Sequence, residues 1–190
     1  MAKLILKNVR FSYANVFTPK AITEGADLKY SVSALIDKNH PQLPEIKEAI
    51  SKAIAEGVDR HVFTAKEGEA FKAGQFPSNF KNPLRDGDKD KPGNDEYKGM
   101  FFIAANSKDK PTILSTERDE FSKKLLELGE AEFYSGCYGN ISLNLYAFKK
   151  AGNIGIGAGL NGCQKTKDGE RLSGGSSAWE DFDDEGSLMD

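Results

Sequence analysis

Cysteine is nearly missing from this chain: Cys137 and Cys163 are the only two in 190 residues, so no disulfide framework braces it and reduced thiols are expected. Histidine is as scarce, with His40 and His61 standing apart from any Cys or carboxylate at ligand spacing, and the two cysteines match no zinc pattern. No serine nucleophile motif, phosphate loop or paired-carboxylate signature is present. No stretch approaches the roughly 20 consecutive apolar residues that a bilayer requires, which leaves no membrane role. The opening MAKLILKNVRFSYANVF is interrupted by polar residues and has no small-residue cleavage site after it. A soluble, cytoplasmic protein without a signal peptide is expected.

Bases are missing from one place in particular. The last twelve residues, WEDFDDEGSLMD, hold six acids and no base, which leaves 26 bases against 23 acids in residues 1–178, net +3 under an overall −3. A mildly basic body with a strongly acidic arm is the pattern of chains that bind polyanions. Trp179 and Phe182 sit among Glu180, Asp181, Asp183, Asp184 and Glu185. The expected organisation is a folded domain over 1–175 and an acidic, flexible tail over 176–190. Such an arm can occupy a basic groove until phosphates displace it, its aromatics mimicking a stacked base or anchoring in a partner's pocket. The plainer reading is a solubilising terminus.

The body reads as mainly β. Alternation or β-rich composition marks strands at Lys3–Tyr13, Lys29–Asp37, Tyr97–Asn106, Thr112–Ser115, Ile141–Phe148 and Ile154–Leu160. One amphipathic helix is predicted over Pro44–Glu56, with Ile46, Ala49, Ile50, Ala53 and Ile54 on one stripe and Gly57 at the C-terminal cap. A short helix is predicted over Glu120–Leu128, because Phe121, Leu125 and Leu128 share a face. The Gly- and Pro-punctuated stretch Thr64–Tyr97 reads as an extended loop. About six short strands, one or two helices and long loop insertions predict a small β-barrel of the OB type.

Two motifs invite over-reading. Asp86, Asp88 and Asp90 have the first spacings of a calcium loop, but Lys91 and Tyr97 stand where that loop needs Gly and Glu. GIGAG lacks the following helix of a dinucleotide site. Its glycines, Gly155, Gly157 and Gly159, instead strip one strand face of side chains, so that something flat or another backbone can approach, or the barrel can bend.

The remaining pattern is aromatic beside basic. Arg10, Phe11 and Tyr13; Lys29 and Tyr30; Lys98 and Phe101; Tyr146, Phe148, Lys149 and Lys150; and Lys165, Lys167 and Arg171 supply the cations and ring faces that a single strand of DNA needs for its phosphates and bases. Ile141, Leu143, Leu145 and Ala147 form one face of their strand, and Ser142, Asn144, Tyr146 and Phe148 the other. No cofactor is called for. A metal-dependent nuclease built from scattered acids, or an interaction protein that never touches DNA, remain as alternatives.

The segments VRFSYANVFTPK, FYSGCYGNISLNLYAF and GIGAGLNGCQKTKDGERLSGG, with the acidic aromatic tail, together resemble a family of phage-encoded single-stranded DNA-binding proteins. The resemblance spans nearly the whole chain and is densest from Phe133 to Gly175. It implies an OB fold, sequence-tolerant binding of single strands, a role in phage replication or recombination in the infected host, and a tail that recruits polymerase or helicase-primase. Better-known relatives end on an aromatic residue, whereas this chain ends at Asp190, which makes Trp179 and Phe182 the internal substitutes. Oligomeric state is left open, a homodimer included.

Overall fold

In a computed structural model, residues 2–21 and 23–172 are described. The tail residues singled out above, from Trp179 to Glu185, lie outside the described residues.

The barrel strands are β1 (Ala2–Lys20), β2 (Lys29–Asp37), β5 (Met100–Ser107), β8 (Tyr138–Lys150) and β9 (Asn153–Lys167). Between them lie the short strands β3 (Phe80–Lys81), β4 (Arg85–Asp86), β6 (Thr112–Arg118) and β7 (Leu125–Glu127) and the helices α1 (Leu43–Asp59), α2 (Ala65–Lys72) and α3 (Gly87–Asp90). β1 is long enough to serve two neighbours, pairing antiparallel with β8 through its first half and with β2 through its second. It turns the corner at two bulges, where Asn8 (φ 56°) and Tyr13 (φ 47°) take left-handed backbone. β2 continues to β5, β8 to β9, and a parallel contact between Asn106 and Gly159 closes the ring. The result is a closed five-stranded barrel, the OB architecture expected from the sequence.

The period-two pattern decides what fills it. Leu4, Leu6, Val9 and Phe11 of β1, Val32, Ala34 and Ile36 of β2, and Ile141, Leu143 and Leu145 of β8 all point inward and are buried. α1 plugs one end with Ile46, Ala49, Ile50, Ala53 and Ile54, the stripe read from the sequence. The helix runs past its expected end. Gly57 is therefore not a cap; it is a packing position, where a Cβ would stand 2.6 Å from that of Ala147.

Two further expectations are corrected. The stretch 64–97 is not a loop: Thr64 and Glu67 form a reciprocal capping box that starts α2, and Phe71 from that helix packs on Phe63, Phe76 and Phe80. The three carboxylates of the pseudo-calcium stretch are engaged by cations, Asp86 and Asp88 by Lys38 and Asp90 by Arg85. Nor is 120–128 a helix. Asp119 accepts from the amides of Phe121 and Ser122, which turns the chain into a β6–β7 hairpin and leaves Phe121 93% exposed.

Candidate nucleic-acid interface

The inward Ile141, Leu143 and Leu145 of β8 force the intervening residues outward, and these form a continuous strip: Tyr138, Asn140, Ser142, Asn144, Tyr146 and Phe148. The ten residue steps from Tyr138 to Phe148, at about 3.3 Å each, give a strip of roughly 33 Å. Aromatics mark both ends and amides the middle. The amides are held in place across the β8–β9 pair: Asn140 donates to Gln164 Oε1 (2.9 Å), Asn144 to Asn161 Oδ1 (2.9 Å) and Asn161 to Ser142 Oγ (3.3 Å).

At one end the strip falls into a groove of about 630 Å³. Tyr146 and Phe148 line it, their ring centroids 6.5 Å apart, together with Lys81, Arg85 and Lys89 and with Asp86 and Asp90. The glycines of β9 create this space. Gly157 lies opposite Tyr146 in the ladder, and a Cβ there would come within 2.5 Å of Tyr146 Cζ. Gly155 admits the backbone of Lys81, which brings β3 alongside β9 in parallel. Of the three uses that the sequence left open for these glycines, two are therefore realised side by side: a flat ring over Gly157 and a second backbone over Gly155.

At the other end, β9 carries Lys165 and Lys167 into a cleft of about 680 Å³ shared with Arg171 and Tyr134 and also lined by Glu117, Glu127, Glu132 and Asp168. Here cations lie over rings. Arg171 is 4.2 Å and Lys165 5.1 Å from the Tyr134 centroid, while Lys167 (4.7 Å) and Arg10 (5.4 Å) flank Tyr138. Lys165 also bonds Asp168 Oδ1 (2.6 Å) and Glu132 O (2.7 Å). Burial works against its charge, but the bond to Asp168 prevails and holds its pKa above the ordinary lysine value. The Tyr134 hydroxyl, which donates to the same carboxylate (2.7 Å), is pushed up by burial and by that negative charge. Neither group changes charge near neutrality.

The structure divides the residues expected from the sequence. Tyr146 and Phe148 share the groove; Lys165, Lys167 and Arg171 gather at the far cleft, and Arg10 lies over the Tyr138 ring. Phe11 is a correction: fully buried, with its ring 4.8 Å from that of Phe133, it is a core residue and offers no face to a base. Arg10 is tied to the carbonyls of Gly136 (3.1 Å) and Glu170 (2.9 Å), so its guanidinium anchors the chain after β9 as well as flanking Tyr138. Lys149 pairs with Glu67 (2.9 Å) and, with Lys150, borders a separate pocket beneath α2. Lys29, Tyr30, Lys98, Phe101 and Tyr13 line neither the groove nor the cleft. Phe101 packs under Lys38, and Tyr13 is 52% exposed with Lys91 over its ring.

Sequence reasoning missed Lys81, Arg85 and Lys89, because they sit in the stretch read as loop, and Tyr134 and Tyr138, although both lie in the quoted FYSGCYG. For Tyr138 the signal was available: it continues the outward phase of Tyr146 and Phe148.

A family model described as the single-stranded DNA-binding protein of Enterobacter phage Enc34 matches residues 2–190. The chain belongs to that family. It is 30% identical to protein p50 of Acyrthosiphon pisum secondary endosymbiont phage 1, over 96% of this chain and 93% of that one. Among solved structures it is similar to the Enc34 single-stranded DNA-binding protein in complex with single-stranded DNA, with a TM-score of 0.65, 26% identity and 90% of each chain covered. The barrel is also shared with gp2.5, a single-stranded DNA-binding protein encoded by bacteriophage T7, at a TM-score of 0.56 and 14% identity over 93% of this chain and 99% of that one. The family is one of binders and not enzymes, in keeping with the reading of the sequence.

Proposed function

We propose that this protein binds single-stranded DNA without sequence preference along the outer face of β8 and β9, and so protects and organises single strands during phage replication and recombination in the cytoplasm of the infected host. The observation that carries this reading is the groove in which the Tyr146 ring lies over bare Gly157 and which Lys81 and Lys89 also line. A ring face accepts any base, and the cations accept any phosphate, so this chemistry distinguishes strandedness and not sequence. In a duplex the base faces are already stacked on one another. Binding the single strand alone shifts the melting equilibrium by mass action, without ATP.

The acidic tail is complementary to the lysines and arginines of this face and carries Trp179 and Phe182. In this reading it competes with DNA for the basic strip and, once displaced, recruits replication proteins such as polymerase or helicase-primase. Fluorescence anisotropy of labelled oligo-dT and a matched duplex tests the proposal, titrated with the full chain and with a truncation ending at Ala178 across a salt series. Preference for the single strand, weakening with salt and tightening on truncation are expected. Equal affinity for both nucleic acids, or none for either, overturns it.

A further inference from the structure

Phe121 is the most exposed large apolar side chain among the described residues, at 93%. It sits at the tip of the β6–β7 hairpin, and nothing in the barrel requires it there. The tip is nevertheless fixed. Asp119 Oδ1 accepts from the amides of Phe121 (3.1 Å) and Ser122 (2.6 Å), the Asp119 amide donates to Lys124 O (2.8 Å), and the Lys123 amide returns to Asp119 O (3.0 Å). Lys123 takes left-handed backbone (φ 60°), and the Arg118 guanidinium closes the turn by donating to Lys123 O (2.8 Å). A ring held out by an ordered turn has lost little freedom that binding would still have to remove.

The hairpin has a definite place relative to the strip. β6 runs parallel to β9 at Thr112–Leu114, and Leu126 and Glu127 on the returning strand wall the cleft that contains Tyr134, Lys165, Lys167 and Arg171. The tip extends about three residues beyond the Arg118–Leu125 pair, roughly 10 Å at strand rise. We propose that Phe121 is a further base-stacking residue, which takes a base of the single strand where it leaves the β8–β9 strip through that cleft. The proposal rests on the reading of β8–β9 as the DNA path.

The surroundings of Phe121 favour a base over a protein partner. A protein anchor works within a desolvated apolar patch, whereas the neighbours of Phe121 are Glu120, Ser122 and Lys123, all exposed. Stacking needs one ring face and a cation for the adjoining phosphate, and exposed Lys123 and Lys124 supply the cation. Asp119 is turned back onto the amides of Ser122 and Phe121, which hold its carboxyl below the usual range and so keep it charged, and Lys123 and Lys124 balance it and Glu120.

The test places a tryptophan reporter at the tip, Phe121→Trp in a Trp179→Phe background, which leaves it as the protein's single indole. Titration with oligo-dT should quench its fluorescence, and Phe121→Ala in the otherwise native chain should weaken binding by roughly five- to a hundredfold, the range of one stacked base. Among the described residues the side chain is almost wholly exposed, so the variant should melt with the native protein. If Tyr146→Ala weakens binding but the tip indole is not quenched and Phe121→Ala binds as the native chain does, this proposal falls while the β8–β9 path stands. If Phe121→Ala changes self-association and leaves DNA affinity alone, the tip is a protein contact and the proposal is overturned. If the native chain binds no single strand, both fall.

Discussion

Tyr146 occupies the space that a side chain at Gly157 would fill. The two residues are direct partners in the β8–β9 ladder, and a Cβ on Gly157 would stand 2.5–2.8 Å from the far edge of the ring. The clash is with the mobile end of a side chain and not with backbone, so Gly157→Ala should displace the ring while the barrel survives. Tyr146→Ala should weaken binding to all single strands alike by about 1–3 kcal/mol. Gly157→Ala should lose part of the same energy, and the double variant should bind no worse than Tyr146→Ala alone, because both changes remove one interaction. Anisotropy titrations of the four proteins close the cycle; strictly additive losses would show that Gly157 acts elsewhere.

Phe11 and Phe133 pack ring to ring inside the barrel, both nearly inaccessible. Phe11→Ala therefore empties a core site and should cost about 3–5 kcal/mol of stability. Denaturant unfolding measures that loss. At temperatures where the variant remains folded, its oligo-dT affinity should match the native value; a specific loss of affinity would return Phe11 to the DNA surface.

The contrast between Phe11 and Tyr146 shows how far the sequence could be read. Both are aromatics on strands beside a base, and phase separates them only when the whole strand is counted: the bulges of β1 at Asn8 and Tyr13 shift its alternation, whereas β8 alternates without interruption from Tyr138 to Phe148. The barrel strands and the stripe of α1 were legible because each repeats one period over many residues. The hairpin was not. Phe121, Leu125 and Leu128 are spaced as on a helix, and only the capture of two amides by Asp119 decides against it. The groove cations were hidden for a different reason: Lys81 reaches the site by a parallel pairing of β3 with β9 across more than seventy residues of chain, and Arg85 and Lys89 by the pairing of β4 with β5 and the short helix α3 that follows, none of which a local pattern encodes.

Lys38 bridges Asp86 (2.9 Å) and Asp88 (2.8 Å), and so ties the end of β2 to the segment that carries Arg85 and Lys89. Its hydrogen bonds hold both carboxyls below the ordinary aspartate range. A depressed carboxyl contributes stability that is present above its unfolded pKa, about 3.9, and is lost as pH falls through the folded value. The segment should therefore stay docked at pH 5 and loosen only below the ordinary aspartate range. In Lys38→Ala both carboxyls should titrate at higher pH. Carboxyl-carbon chemical shifts of Asp86 and Asp88 in the two proteins report this directly, and unchanged midpoints would show that Lys38 is not the cause.

The lysines of this surface differ in how free they are to meet phosphate. Lys81 and Lys89 line the groove, and among the described residues no ion pair engages either, whereas Lys149 is held by Glu67 at 2.9 Å. For single strands the slope of log affinity against log salt is about −0.7 per phosphate neutralised. Lys81→Gln and Lys89→Gln should each flatten the slope by about that amount, because each removes one counterion-releasing contact. Lys149→Gln should flatten it less, since the native lysine already has a carboxylate partner and its loss leaves Glu67 uncompensated. Truncation at Ala178 should act differently again: it removes a competing polyanion, so affinity should rise most at low salt, where the tail holds the strip most strongly, and the curves with and without the tail should converge as salt increases. Parallel curves would mean that the tail does not meet the cationic face.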